Sequence, residues 1–251
     1  MSVETPLINE RREFKDGVKA SLPIVAAVSP FGAVYGAAAI SNGMSFFDTV
    51  FMSGIVFAGA SQMVAVDLLA TPLPFWTIVL SVFAVNFRHI LYSASLGRKM
   101  HRFGPIQKAL AFMLLIDPQW AICEKRTQSR PLTAGFYFGL AMPLWIVWLV
   151  SSGFGAVFGK LVTNPQAIAF DFILPIYFIA LLMGFRERYS WLPVVFVSGS
   201  AALVAFWVIG PPWHVASGAF AGIFYAAWRG KPKDLMALSP NANQSGEGAN
   251  V

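Results

Sequence analysis

Long apolar runs separated by short basic segments are the feature of this sequence that most restricts its fold. A helix that crosses a bilayer needs about 20 mostly apolar residues. Only 12% of the residues are charged, about half the share in a soluble domain. The sequence therefore predicts an all-α polytopic integral membrane protein with seven to eight transmembrane or re-entrant helices. The candidate runs are residues 20–40, 50–70, 75–96, 106–123, 132–158, 167–185, 192–209 and 213–228.

Two polar tails flank a predicted membrane domain of residues 20–228. Residues 1–19 carry mixed charge and lack the features of a cleavable signal peptide, so we expect a cytoplasmic N-terminal tail. Residues 229–251 end in an Asn-, Gly- and Ser-rich stretch that cannot build a core. We expect this C-terminal tail to be disordered.

The net charge of +6 indicates membrane orientation and not a nucleic-acid partner. Lys and Arg cluster between the apolar runs, and such loops stay on the cytoplasmic side. Both termini are therefore predicted to be cytoplasmic. However, the basic segments 98–108 and 125–130 lie on either side of the fourth run, so a regular crossing would separate them. We therefore expect one early run not to be a regular span. The fourth run, which contains Asp117-Pro118, is short enough to be re-entrant or broken.

Two similar hexapeptides indicate a two-fold internal repeat. Residues 31–36 read FGAVYG and residues 154–159 read FGAVFG. The repeated halves would cover residues 20–123 and 132–228, and many transporters bind substrate between such halves. Chance similarity between Gly- and Ala-rich helices explains the match equally well.

Polar groups inside the second and third runs mark candidate binding positions, because such groups are costly in a membrane. In the second run, the polar residues Ser61 and Gln62 follow three small residues that include Gly59, and glycine weakens a helix locally. An unwound stretch there would offer backbone groups to a ligand. Asn86 lies deep in the third run. The alternative interpretation is a small-residue packing face, with Gln62 bonded to a neighbouring helix.

Three ionisable residues within the runs form a predicted proton or charge relay: Arg88, His89 and Asp117. Asp117 precedes a proline, and a carboxylate at a helix break suits an ammonium group, a proton or Arg88. Arg88 either balances such a buried charge or extends towards the basic loop. His89 either relays protons or holds one fixed hydrogen bond.

Nothing in the sequence indicates an enzyme. Nucleophile, metalloprotease and nucleotide-binding motifs are absent from it. Cys123 is the single cysteine, and no Cys/His spacing is typical of a zinc site. We therefore expect no catalytic residues, no metal and no cofactor.

Two motifs together resemble a known family. FAGASQ at residues 57–62 and NFRHILYS at residues 86–93 agree in order and spacing with AzlC-type large permease subunits of branched-chain amino acid exporters (LIV-E type). An early segment with Pro23, Pro30 and Gly36 also agrees, and the resemblance extends over about residues 17–228. The family often has an Asp-Glu pair in the fourth segment, whereas this sequence offers only Asp117.

The resemblance implies a secondary transporter that exports bulky apolar amino acids across a bacterial inner membrane. It also implies a small AzlD-type membrane subunit as partner. A zwitterionic substrate needs polar partners at both charged ends, which makes Gly59, Ser61, Gln62 and Asn86 the predicted substrate-binding residues. Coupling to the proton motive force is expected to run through Asp117 or His89. A channel, or a transporter for another small organic solute, is the alternative function. An intramembrane enzyme and a scaffold for the small subunit are further alternatives.

Overall fold

The structure is a computed structural model that describes residues 9–158, 179, 182–183, 186, 191–210 and 213–229. Every regular element within these ranges is a helix, which confirms the predicted all-α class. The chain divides into two compact units, Met1–Met183 and Gly184–Val251. Four described helices are long and apolar enough to cross a membrane: Glu10–Ser41, Phe75–Gly97, Ala134–Phe158 and Trp191–Val208.

The first unit contains the helices that carry the candidate site. The side chain of Asn9 accepts a hydrogen bond from the Arg12 amide and caps the first helix. In chain order these helices are α1 (Glu10–Ser41), α2 (Phe46–Val56), α3 (Gly59–Leu69), α4 (Phe75–Gly97), α5 (Pro105–Met113), α6 (Asp117–Arg126) and α7 (Ala134–Phe158).

Helices α1 and α7 run parallel and pack closely along their whole length. Phe14 near the start of α1 faces Gly139, and Ala33 near its end faces Gly155. A Cβ atom on either glycine would overlap with the backbone of α1. Glycine at these positions therefore permits the close approach of the two helices.

The two hexapeptides of the candidate repeat lie at this interface. Residues 31–36 belong to α1, and residues 154–158 of the second copy belong to α7. Ala33 of the first copy contacts Gly155 of the second. Close packing explains Gly36 in the first copy and Gly155 and Ala156 in the second, and the internal repeat itself stays a prediction.

Helix α4 crosses the first unit in the direction opposite to α1. Near its end, Ser95 and Lys99 bind the carboxylate of Glu124 in α6, with Lys99 Nζ at 2.5 Å. Arg126, which ends α6, pairs with Glu13 near the start of α1. Helix α4 therefore ends where α1 begins. We call this end, with residues 9–19, 98–108 and 125–135, the basic end, and the opposite end, with residues 41–50 and 67–76, the far end.

Helix α2 enters the first unit from the far end. It runs antiparallel to α7, since Val50 lies beside Gly153 and the Trp145 indole donates to the Gly54 carbonyl at 3.1 Å. At 11 residues it is about half as long as a spanning helix. It therefore stops inside the unit.

The chain turns back at Phe57 and Ala58, and α3 returns to the far end. Phe57 has a positive φ of 37°, which is uncommon outside glycine and ends α2. Gln62 of α3 lies beside Ser53 of α2 and Tyr35 of α1. Ser53 is one helical turn before Phe57, so Gln62 is already closer to the far end than the turn at Phe57 is. Residues 70–74 alone connect α3 to the start of α4 at that same end. Helices α2 and α3 are thus a re-entrant hairpin, the far hairpin.

Helices α5 and α6 form a second re-entrant hairpin, the basic hairpin, which enters from the basic end. It turns at residues 114–116, and Pro118 in the first turn of α6 suits a helix start because its missing N–H is not needed there. Helix α6 then runs beside α4 back to the basic end. The Tyr137 hydroxyl donates to the Ala111 carbonyl at 2.5 Å and joins the hairpin to α7.

The two hairpins resolve the conflict in the charge pattern. The expectation that one early run is irregular is corrected, since runs 50–70 and 106–123 both turn back. If only run 50–70 turned back, residues 125–130 would lie at the far end. If only run 106–123 turned back, residues 98–108 and residues 125–130 would both lie there. With both reversals, every Lys and Arg from Arg11 to Arg130 except Arg88 lies at or near the basic end.

The second unit contains two described antiparallel helices, α8 (Trp191–Val208) and α9 (Trp213–Arg229). The Ser198 hydroxyl donates to the Gly218 carbonyl at 2.8 Å, and Gly222 lies beside Val194. Small residues again permit close packing. These helices confirm the last two predicted runs. Most of the predicted run 167–185 lies outside the described residues.

Candidate functional site

The tips of the two hairpins meet at one small cavity in the first unit. Phe31 and Trp148 line it, and both lie near the middle of the apolar stretch of their long helix. The cavity volume is about 40 Å³, which is room for about three water molecules at most. The complete lining consists of Val28, Phe31, Phe57, Ala58, Gly59, Ala60, His89, Ile116, Asp117, Pro118 and Trp148.

The far hairpin presents the N-terminus of α3 to this cavity. Ala58 precedes the first turn, and no side chain caps it. The N–H groups of Gly59 and Ala60 consequently have no acceptor within the helix. The Ser61 hydroxyl donates to the Ala58 carbonyl at 2.8 Å. An uncapped helix N-terminus carries partial positive charge and suits a carboxylate.

The basic hairpin places a carboxylate at the same cavity. Asp117 begins α6, and its Oδ1 lies 3.3 Å from Arg88 Nε and 3.0 Å from the Tyr92 hydroxyl, which donates to it. Tyr92 stacks on Trp120 with ring centroids 4.5 Å apart. The Asp117 side chain is only 12% exposed. Its negative charge therefore depends on Arg88 and on the N-terminal dipole of α6.

Aromatic rings confine the cavity on the side of α1 and α7. The ring centroids of Phe31 and Trp148 lie 5.4 Å apart. A Cβ atom on Gly59 would lie 2.5 Å from Phe31 Cε1 and 2.8 Å from Trp148 Cη2. Only glycine lets the tip of the far hairpin approach these rings so closely.

The structure brings four of the seven predicted site residues together. Gly59, His89 and Asp117 line the cavity. Arg88 lies behind Asp117 and contacts it through the ion pair. His89 Nδ1 has no hydrogen-bond partner among the residues that the structure describes.

The other three predicted residues lie outside the cavity lining. Ser61 bonds within its own helix, and Gln62 is fully buried. Gln62 Oε1 accepts the Trp148 indole N–H at 3.1 Å, and its Nε2 lies 3.4 Å from Ser53 Oγ. This matches the interpretation in which Gln62 bonds a neighbouring helix. Asn86 is partly buried, and its Oδ1 has no partner in the described ranges. A substrate-binding role for these residues stays a prediction.

Sequence reasoning missed Phe31, Trp148 and Gln119. In a chain with 23 Phe and 8 Trp, no pattern distinguishes the first two. Gln119 is fully buried in α6, and neither polar atom of its side chain has a partner in the part of the chain that is described. Such an amide is costly unless it binds water or a ligand. Its position two residues after Asp117 was the one available signal.

Metal-ligating side chains do not cluster at this cavity. Among the described residues, no three His, Cys, Asp or Glu side chains are close enough to hold a metal ion. Cys123 is a buried free cysteine in α6.

Comparison with known proteins places the chain in a family. The model of the AzlC protein family matches residues 23–162. Inner membrane protein YgaZ of Escherichia coli (strain K12) is 31% identical over 233 residues, which cover 88% of this chain and 94% of that protein. The chain belongs to the AzlC family. Membership confirms the resemblance in the two motifs, and it makes the chain a membrane transport protein.

Two further relatives are more distant from this AzlC-family chain. The branched-chain amino acid transport protein AzlC of Bacillus subtilis (strain 168) is 26% identical over 183 residues, covering 70% of this chain and 71% of that protein. An uncharacterized membrane protein of Archaeoglobus fulgidus is 26% identical over 223 residues, covering 87% and 96%. No solved structure matches the chain significantly.

Proposed function

We propose that this AzlC-family protein exports branched-chain and other bulky apolar amino acids across the bacterial inner membrane. In this proposal the proton motive force drives export. The protein acts as the large subunit of a two-component exporter, and a small AzlD-type membrane subunit is its partner. No chemical step is required of it.

One observation carries the proposal: groups of opposite polarity face each other across a cavity with apolar walls. The uncapped N-terminus of α3 offers the amides of Gly59 and Ala60 to a carboxylate. The Asp117 carboxylate suits an ammonium group. Val28, Phe31 and other apolar side chains surround the space between them. This combination complements an amino acid with an apolar side chain.

The comparisons support the same substrate class. The Bacillus subtilis relative is named a branched-chain amino acid transport protein, and 70% of this chain aligns with it. Discontinuous helices whose N-termini point at a substrate site are also a common arrangement in secondary transporters.

The opposed hairpins suggest how access alternates. A cavity of about 40 Å³ is too small for a leucine molecule, so the hairpin tips must separate when substrate binds. Movement of the basic hairpin would open the cavity to one side of the membrane, and movement of the far hairpin would open it to the other. The cytoplasmic side is the basic end in this proposal, because loops rich in Lys and Arg remain inside.

Asp117 is the proposed link to the proton. Its carboxylate pairs with Arg88 and accepts the Tyr92 hydroxyl. Protonation would weaken both contacts and free the tip of the basic hairpin from α4. His89 lies on the same cavity and is the second candidate for the proton.

Reconstitution tests the proposal. The full chain, with and without a candidate small subunit, is placed in liposomes loaded with labelled leucine, and efflux is followed under an imposed pH gradient. We expect gradient-dependent efflux that an uncoupler abolishes, and no comparable efflux of labelled lysine. Efflux that ignores the gradient would identify a pore, and failure to move any apolar amino acid would reject the substrate class.

A further inference from the structure

A second and much larger cleft opens at the basic end of the first unit. Its volume is about 710 Å³, and it shares no residue with the cavity at the hairpin tips. Three separate parts of the chain form it: the start of α1, the region around the start of α5, and the start of α7. The lining consists of Glu10, Arg11, Phe14, Lys15, Arg102, Gln107, Thr133, Ala134, Gly135 and Phe138.

Three cations dominate the polar part of this cleft. Arg11, Lys15 and Arg102 are exposed, and none of them has an ion pair within the described part of the chain. The one carboxylate in the lining, Glu10, already accepts the Gly135 amide at 2.6 Å. The cleft thus has an excess of positive charge that an anion would neutralise.

The rest of the lining is apolar. Phe14, which is 42% exposed, and Phe138 form its walls together with Ala134. Because the apolar stretch of α1 begins about residue 20, the cleft lies where the membrane meets water. A soluble anion would use the cations alone, whereas a lipid would also cover the exposed rings.

We propose that this cleft binds an anionic phospholipid. The phosphate lies among Arg11, Lys15 and Arg102, and the upper part of the acyl chains covers Phe14 and Phe138. Basic pockets between membrane helices bind such headgroups. A lipid bound here contacts α1, α5 and α7 at once. It therefore holds the start of the basic hairpin against α1 and α7. This effect does not depend on which substrate the protein carries.

Lipid binding to the purified full-length chain tests this site. Phosphatidylglycerol or phosphatidylcholine is added to the protein in detergent, and bound lipid is counted by native mass spectrometry. We expect selective retention of phosphatidylglycerol. In the variant R11Q/K15Q/R102Q, affinity for it should fall by roughly two orders of magnitude, because each of the three basic side chains contributes about fivefold.

A matched control removes the same charge elsewhere at the basic end. The variant R12Q/K125Q/R130Q changes three basic residues that are exposed and outside the cleft, so it should keep the wild-type affinity. An equal loss in the control would show diffuse surface attraction and overturn the site. Displacement of lipid by millimolar inorganic phosphate would overturn it too, because the apolar walls would then contribute nothing. If the triple variant misfolds, Arg102→Glu alone, in an exposed loop, should still lower retention.

Discussion

Arg88 and Asp117 join a spanning helix to the tip of the basic hairpin, with Arg88 Nε 3.3 Å from Asp117 Oδ1. Both side chains are largely buried, at 24% and 12% exposure. The pair therefore serves two purposes in the proposed mechanism. It compensates charge within the membrane, and it holds the carboxylate beside the cavity where an ammonium group would bind.

Replacing Asp117 by Asn removes the charge and keeps the size of the side chain. We expect leucine export to fall to background, because no carboxylate remains for the ammonium group or the proton. Removing the buried carboxylate beside Arg88 should also destabilise the fold, by at most about 3–5 kcal/mol. Thermal unfolding in detergent and efflux from liposomes measure the two effects.

The double variant R88Q/D117N separates these effects. With both charges removed, the unfolding temperature should recover most of the loss seen for D117N. Export should stay at background. Recovery of export in the double variant would contradict a direct role of Asp117 in transport.

Gly59 packs tightly against two aromatic rings at the tip of the far hairpin. In Gly59→Ala the new methyl group meets Phe31 and Trp148 at 2.5 and 2.8 Å. We expect a loss of about 1–3 kcal/mol in stability from overpacking and a marked loss of leucine export. Gly54→Ala is the control, since its nearest atom would be 3.8 Å away. Unchanged export by Gly59→Ala would reject this geometry.

Gln62 distinguishes a positioning role from a substrate-binding role. In Gln62→Leu the Trp148 indole loses its buried acceptor, so we expect about 1–3 kcal/mol of destabilisation. In Trp148→Phe the indole N–H is gone, and Gln62→Leu should then cost clearly less. Unfolding temperatures of the four proteins give this coupling. Additive losses, together with a raised KM for leucine in Gln62→Leu alone, would favour direct substrate binding.

The helical fold and several site residues could be predicted for simple physical reasons. Lipid tolerates few polar groups, so His89 and Asp117 stand out within apolar runs, and Gly59 stands out because glycine weakens a helix. The apolar wall could not be predicted in the same way. Phe31 and Trp148 are aromatic residues in apolar helices, and only the fold brings them next to Gly59.

Hydropathy cannot distinguish the two re-entrant hairpins from spanning helices, whereas the positions of the basic residues bear on this distinction. An apolar run of about 20 residues has the same hydropathy whether it crosses the bilayer or turns back in it. The break at Asp117-Pro118 was visible in the sequence. The turn at Phe57 was not, because a phenylalanine with positive φ has no sequence signature. Requiring all basic loops on one side would have predicted that run 106–123 turns back and that one of the first three runs does so too, and only the structure identifies run 50–70.

Accessibility of single cysteines tests the re-entrant topology directly. The only cysteine, Cys123, is buried and is first replaced by alanine. We expect Thr71→Cys to react with a membrane-impermeant maleimide from the periplasm, and His101→Cys to react only after the cytoplasmic face is opened. If all eight runs were regular spans, Thr71→Cys would react only from the cytoplasm and His101→Cys would react from the periplasm. Each position would then lie on the opposite side of the membrane.

Two further positions serve as controls for this labelling. Asn42→Cys should react from the periplasm and Arg130→Cys from the cytoplasm in either topology, because both arrangements place them alike. Correct labelling at these two, with Thr71→Cys protected from the periplasmic reagent, would mean that the far hairpin crosses the membrane. If His101→Cys also reacted with the periplasmic reagent, all early runs would be regular spans. The arrangement of the candidate site would then be wrong.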